Sequence, residues 1–195
     1  MGRSVDTRRD ILNAAVKVIG AKGYAETSVD EIAEQAGLSK GILYYHFDSK
    51  ADIATRILNQ GINIISDLYE EIIAKEPDAA TALQAMSEAF VDLNYSNREF
   101  GRFLLSEFGR AGRPWSEDIK PAQSRLLGIV AEEIRLAQEQ GTARTEIDSD
   151  FAALAILGII LSSCMYFIFD TSTAMPKEEL SARLNDLIGA AMKMD

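Results

Sequence analysis

Residues 28–50, SVDEIAEQAGLSKGILYYHFDSK, decide the fold. Ser28 with Glu31 three residues on is a capping box, in which each side chain satisfies a free backbone N–H at a helix start. Ile32, Ala33 and Ala36 give the helix that follows a narrow apolar face. Gly37 ends it, because glycine takes the left-handed backbone conformation that a helix stop wants. Ser39 then caps a second helix, Lys40 to about Phe47. Two such short helices bury little alone. Joined by a short Gly-containing turn, they predict a helix-turn-helix, the unit that sets its second helix in the DNA major groove.

The second helix has an unusual surface. Leu43 and Phe47 sit four apart and face inward, leaving Lys40, Gly41, Tyr44 and Tyr45 outward, followed by His46 and Lys50. A helix that only covers a core seldom turns two adjacent tyrosines to water. Lys, His and Tyr side chains donate to phosphate oxygens, and Gly41 lets another backbone come close. The plainer alternative is an ordinary amphipathic helix. Thr27 and Ser28 stand where hydroxyls and free N–H groups at a helix start suit a phosphate. For Ser28, capping and phosphate contact are compatible. Lys50, in the first turn of the next helix, opposes the macrodipole there, and a nearby phosphate would offset that.

TSVDEIAEQA followed by GLSKGILYYHFDSKADI closely resembles the DNA-binding domain of the TetR family of bacterial transcriptional regulators. The match covers roughly residues 7 to 60. Beyond it, only length and helical character agree with the family. The resemblance implies a homodimeric, sequence-specific regulator, a ligand-released repressor, with a head over 1–50 and an effector-binding and dimerisation domain over 51–195. Lys40, Gly41 and Tyr44 are then the candidates for base edges, and Thr27, Ser28, Tyr45, His46 and Lys50 for phosphates.

A net charge of −10 looks wrong for a nucleic-acid binder. Residues 1–50, however, hold seven Lys/Arg and seven Asp/Glu, so the 13 basic and 23 acidic residues that remain carry the whole imbalance. Affinity for DNA depends on a local face, not on the total. Cys164 is the only cysteine, which excludes a disulfide framework and predicts a reducing cytoplasm. MGRSVDTRRDIL has no apolar run of signal-peptide length.

Proline is scarce and no alternating stretch occurs, so the class is all-α, with about nine helices. Residues 1–6 are expected as a flexible arm in which Arg3, with Arg8 and Arg9, reaches phosphate or a minor groove; a solvated tail is the alternative. Helix 1 starts near a weak Thr7–Asp10 cap, carries Ile11, Leu12, Ala15, Val18 and Ile19, and closes at Lys22–Gly23. Helix 4 runs from Ser49 to about Lys75 and connects the two domains. Helices 5 (from Asp78) and 6 (from Arg98) follow, then the loop 109–115 and a helix 7 ending at Gly141. Residues 151–169, FAALAILGIILSSCMYFIF, have the length of a membrane span. Their flanks are Asp148, Asp150 and Asp170 and no basic residue is near, so the positive-inside signal is missing. A buried helix reads the same way. Pro176 opens the last helix. These two helices predict a two-fold dimer through about 151–193, as a four-helix bundle, with no membrane. A dimer presents two recognition helices to a roughly palindromic double-stranded site, half-sites about 34–36 Å apart or a multiple of it.

Gly37–Gly41 matches G-x-S-x-G, but a helix precedes Ser39 and the sole histidine, His46, lies on the following helix, so a triad cannot close. No enzyme activity, metal site or cofactor is expected. Phe90, Tyr95, Phe103, Phe108, Trp115 and Tyr166 are many rings for one half-chain. Each alone reads as core; together, in a TetR-like domain, they imply a pocket for a small apolar or aromatic effector.

Overall fold

The computed structural model describes residues 2–107, 116–169 and 172–192. Within these residues the chain forms nine α-helices and no strand: α1 Gly2–Lys22, α2 Val29–Gln35, α3 Lys40–His46, α4 Lys50–Ile73, α5 Ala79–Ser96, α6 Arg98–Glu107, α7 Lys120–Glu139, α8 Ser149–Phe169 and α9 Lys177–Met192. They divide into two compact units. The first holds Met1–Gly61 and Asn97–Lys120, the second Ile62–Ser96 and Pro121–Asp195. Helix α4 supplies residues to both without a break.

One expectation is corrected at the start of the chain. Residues 2–6 are not an arm, because α1 is already helical at Gly2. After Gly2 nothing in RSVDTRRD breaks a helix, and Asp6 pairs with Arg9 one turn on at 3.2 Å. The Thr7–Asp10 pair therefore lies inside the helix rather than at its cap.

In the first unit, Ile11, Ala15 and Ile19 of α1, Ile32 of α2, Leu43 and Phe47 of α3, and Ile53 and Leu58 of α4 form one apolar core. Helix α6 lies close along α1. A Cβ at Gly20 would stand 2.5 Å from the Glu99 carbonyl oxygen, so only glycine permits that approach. A Cβ at Gly61 would likewise run into the Phe100 ring, 2.0 Å from its Cζ.

In the second unit, α5 is capped by Asp78, whose Oδ1 accepts from the Thr81 N–H at 2.9 Å. Helix α7 ends on Gly141 in the left-handed conformation (φ 72°), with the Thr142 N–H on the Ala137 carbonyl at 2.9 Å. Arg125 of α7 holds Asp67 and Glu70 of α4 at 2.7 and 2.9 Å. Helix α8 is apolar on every side, yet only Ala152, Ala153, Leu157, Ile160, Cys164 and Ile168 are buried. Phe151, Leu154, Ile159, Met165 and Tyr166 form a stripe open to solvent, and Leu187 of α9 is also exposed.

Candidate nucleic-acid interface

The interface is built on two caps and a turn. Ser28 Oγ accepts from the Glu31 N–H at 3.2 Å, while Glu31 Oε2 accepts from the Ser28 N–H at 2.8 Å, which closes the predicted box. Lys22 adds an ion pair to Glu31. That hydrogen bond first, and the two from Ser28 after it, hold the Glu31 carboxyl down at about 2 against an ordinary 4.5. Helix α2 stops at Gly37, which takes φ 68° as predicted, and the Leu38 N–H reaches back to the Ala33 carbonyl at 2.9 Å. Ser39 caps α3 by accepting from the Ile42 N–H at 3.4 Å. As a cap between two helices, Ser39 has none of the strand-to-helix strain of a nucleophile elbow.

With Leu43 and Phe47 turned into the core, α3 exposes one continuous face. Tyr45 is 84% exposed and Tyr44 46%, with Lys40, Gly41 and Ile42 beside them. Lys40 pairs with Asp30 of α2 at 2.9 Å. That partner raises the Lys40 pKa and offsets a positive charge at a helix N-terminus. Gly41 is informative because nothing among the described residues needs it. A Cβ there would meet only Ser39 Oγ, at 3.9 Å. A helical glycine costs about 1 kcal/mol against alanine, so the chain carries that cost for no internal contact.

The remaining candidates are placed differently. Thr27 is buried, and its hydroxyl donates to the Gly23 carbonyl at 2.8 Å. Lys50 turns its ammonium onto the Tyr24 and Thr27 carbonyls at 2.8 and 2.6 Å, with the Tyr24 ring 4.2 Å from Nζ. Lys50 thus ties the α1–α2 loop to the start of α4. His46 is half-buried, edge-on to Tyr45. Its carbonyl accepts from Arg8 at 3.3 Å, and the Arg8 guanidinium lies 5.4 Å from the Phe47 ring. Arg8 therefore closes the C-terminal end of α3. Its expected place at the start of helix 1, reaching for phosphate or a minor groove, gave no sign of that.

Of the six aromatic pocket candidates, Phe90, Tyr95, Phe103 and Tyr166 lie within the described residues. Phe103 is buried in the first unit and Phe90 in the second. Tyr95 donates to the Met175 carbonyl. Tyr166 is 56% exposed, edge-on to Phe167. Phe108 and Trp115 lie outside the described residues. The second unit also has a small apolar groove between α5, α7 and α9, lined by Leu83, Ala137, Asn185, Ile188 and Met192, which contains none of the six. Among the described residues no cluster of His, Cys, Asp and Glu has metal-binding geometry.

Comparison with known proteins gives a consistent result. The sequence model of the family described as "Bacterial regulatory proteins, tetR family" matches residues 11–57. The HTH-type transcriptional regulator SrpR of Pseudomonas putida is 36% identical over 156 residues, covering 80% of this chain and 72% of SrpR. The HTH-type transcriptional repressor KstR2 of Rhodococcus jostii is 34% identical over 79 residues, 40% of this chain and 39% of KstR2. The chain thus spans about two-fifths of the length of KstR2. The structure of the regulator FadR from Bacillus subtilis in complex with stearoyl-CoA superposes with a TM-score of 0.85 at 21% identity, covering 94% of this chain and 98% of FadR. At that identity the likeness concerns the fold.

Proposed function

The chain belongs to the tetR family of bacterial regulatory proteins, with the helix-turn-helix of a DNA-binding transcriptional regulator, and from that premise we propose that it is a homodimeric, sequence-specific repressor released by a small apolar effector. The observation that carries the DNA reading is the face of α3. It has two exposed tyrosines, a lysine held by Asp30, and a glycine that the fold itself does not require. Lys40, Gly41 and Tyr44 face base edges. Tyr45, Ser28 and His46 face phosphates on either side. Thr27 and Lys50 act chiefly by fixing the loop that presents Ser28.

A second copy covers the stripe on α8 and Leu187 of α9. A soluble chain does not keep Phe151, Leu154, Met165, Tyr166 and Leu187 in water without a partner surface. Helix α8 is long and apolar enough to cross a bilayer, but Asp148 and Asp150 at its start fit a dimer of a cytoplasmic protein better. Two heads in a two-fold dimer meet a roughly palindromic operator. The effector binds in the second unit and acts by biasing α4, which runs from the first unit into the second, between DNA-competent and DNA-incompetent positions. The FadR structure holds stearoyl-CoA, so compounds with a long apolar chain are the first to try.

Fluorescence anisotropy against DNA from just upstream of the protein's own gene, at two salt concentrations, tests the proposal. Tight binding that survives competitor DNA is expected, with Tyr44→Ala relaxing sequence preference. Weak binding equal on all sequences and abolished by moderate salt would refute a specific regulator of that site.

A further inference from the structure

Helix α5 buries two polar side chains whose hydrogen bonds are incomplete. Ser87 and Asn94 are each 2% exposed. Among the described residues Ser87 Oγ has no hydrogen-bond partner. Asn94 Nδ2 donates to the Phe90 carbonyl at 2.8 Å, while its Oδ1 accepts from no group among the described residues. Ser66 on α4 shows the contrast. Equally buried, it donates to the Ile62 carbonyl one turn back at 3.0 Å. The same local bond is open to any helical serine, and Ser87 leaves it unmade.

Seven residues return to nearly the same side of a helix, about 10 Å further along its axis. Ser87 and Asn94 therefore face one way, at the two ends of a segment about 10 Å long. Between and beside them are Met86, Phe90 and Val91, all buried and all apolar. Interiors seldom keep such atoms unless something meets them. One water cannot reach both. A bound molecule of that length satisfies both ends at once. It has to be uncharged there. Among the described residues the buried charged side chains are Glu107 of the first unit and Glu133 of α7, with no buried Lys or Arg to meet a carboxylate or phosphate.

We propose that Ser87 and Asn94 read the two polar groups of a neutral, elongated, mainly apolar effector. Asn94 Oδ1 accepts from a hydroxyl or amide N–H of the ligand, and the Ser87 hydroxyl meets a second polar atom about 10 Å away. This rests on the reading that the second unit holds the effector. It adds that the ligand is selected by a hydrogen-bond donor.

Two isomers of the same formula test it: 1,8-octanediol, which carries two donors, and 1,6-dimethoxyhexane, which carries none. Binding is read without DNA, by the thermal shift of the full-length protein as each is titrated. The wild type is expected to favour the diol by about tenfold or more, the ordinary worth of a hydrogen bond whose loss leaves a buried group unmet. Asn94→Leu should abolish the preference and Ser87→Ala should reduce it. Equal or absent binding of the two isomers by the wild type overturns the proposal, as does an Asn94→Leu variant that keeps the preference. The ligand-free variants give an independent check. The Phe90 carbonyl still accepts the helical N–H of residue 94, so Asn94→Leu orphans nothing and should melt no lower than wild type. A lower melting temperature means the amide is satisfied within the protein, and the proposal falls. Donor preference without release of DNA supports the assignment of these two residues and counts only against effector-released repression.

Discussion

Single side chains decide how the head is held together, and Lys50 shows the difference between reading a residue and seeing it. Its place at a helix start points to a phosphate, whereas its ammonium sits on two backbone carbonyls and against the Tyr24 ring. Hydrogen bonds to a charged donor contribute more than neutral ones, so Lys50→Met should cost about 2 kcal/mol of stability, read by urea denaturation. A variant as stable as wild type, with a salt slope on DNA reduced by about 1, would return Lys50 to phosphate contact. Glu31 makes a pH-dependent contribution. Its pKa falls from 4.5 to about 2 on folding, so the stabilisation is present above pH 4.5 and is lost as pH falls from 4.5 toward 2. Glu31→Gln should therefore melt below wild type at pH 7, and the two curves should converge by about pH 2. A gap that stays constant over that range would mean the capping box, not the charge, carries the effect.

At the level of helices, glycines separate close packing from mere tolerance. Gly20 and Gly128 both lie inside helices, and nothing in the sequence tells them apart. A Cβ at Gly20 meets the Glu99 carbonyl at 2.5 Å, while one at Gly128 meets nothing within 4 Å. Backbone cannot yield as a flexible side chain can. Gly20→Ala should thus destabilise by about 3 kcal/mol. Gly128→Ala should stabilise by up to about 1 kcal/mol. Denaturant midpoints of the two variants moving in the same direction would contradict the α1–α6 packing. That packing was not legible from periodicity. Helix α6 begins at Arg98, well outside residues 7–60 where the family resemblance is detailed, and its partner α1 is reached only through the tertiary fold.

Across the whole molecule the decisive feature is α8. Its buried and solvent-facing sides are equally apolar, so no amphipathic pattern distinguishes them. Phe151→Asp combined with Leu154→Lys should convert a dimer to monomer in analytical ultracentrifugation. The same pair should weaken operator binding far more than binding to a single half-site, because only the dimer places two heads on one operator. A monomeric wild type at micromolar concentration would remove the dimer from the proposal.

The sequence by itself determined what is local. The caps at Ser28, Ser39 and Ser49, the helix ends at Gly37 and Gly141, and the inward turn of Leu43 and Phe47 depend on residues within a turn or two of each other, and the structure has each of them. These were enough to recognise the helix-turn-helix and the outward face of α3. Tertiary structure decided whatever depends on a distant partner. Examples are Arg8 at the end of α3, Lys50 on its carbonyls and α6 against α1. It also decided which face of α8 is covered and which polar atoms of α5 are left unmet. A side chain's chemistry can be read from its letter, but whether its hydrogen bond is already spent depends on groups 20 to 80 residues away.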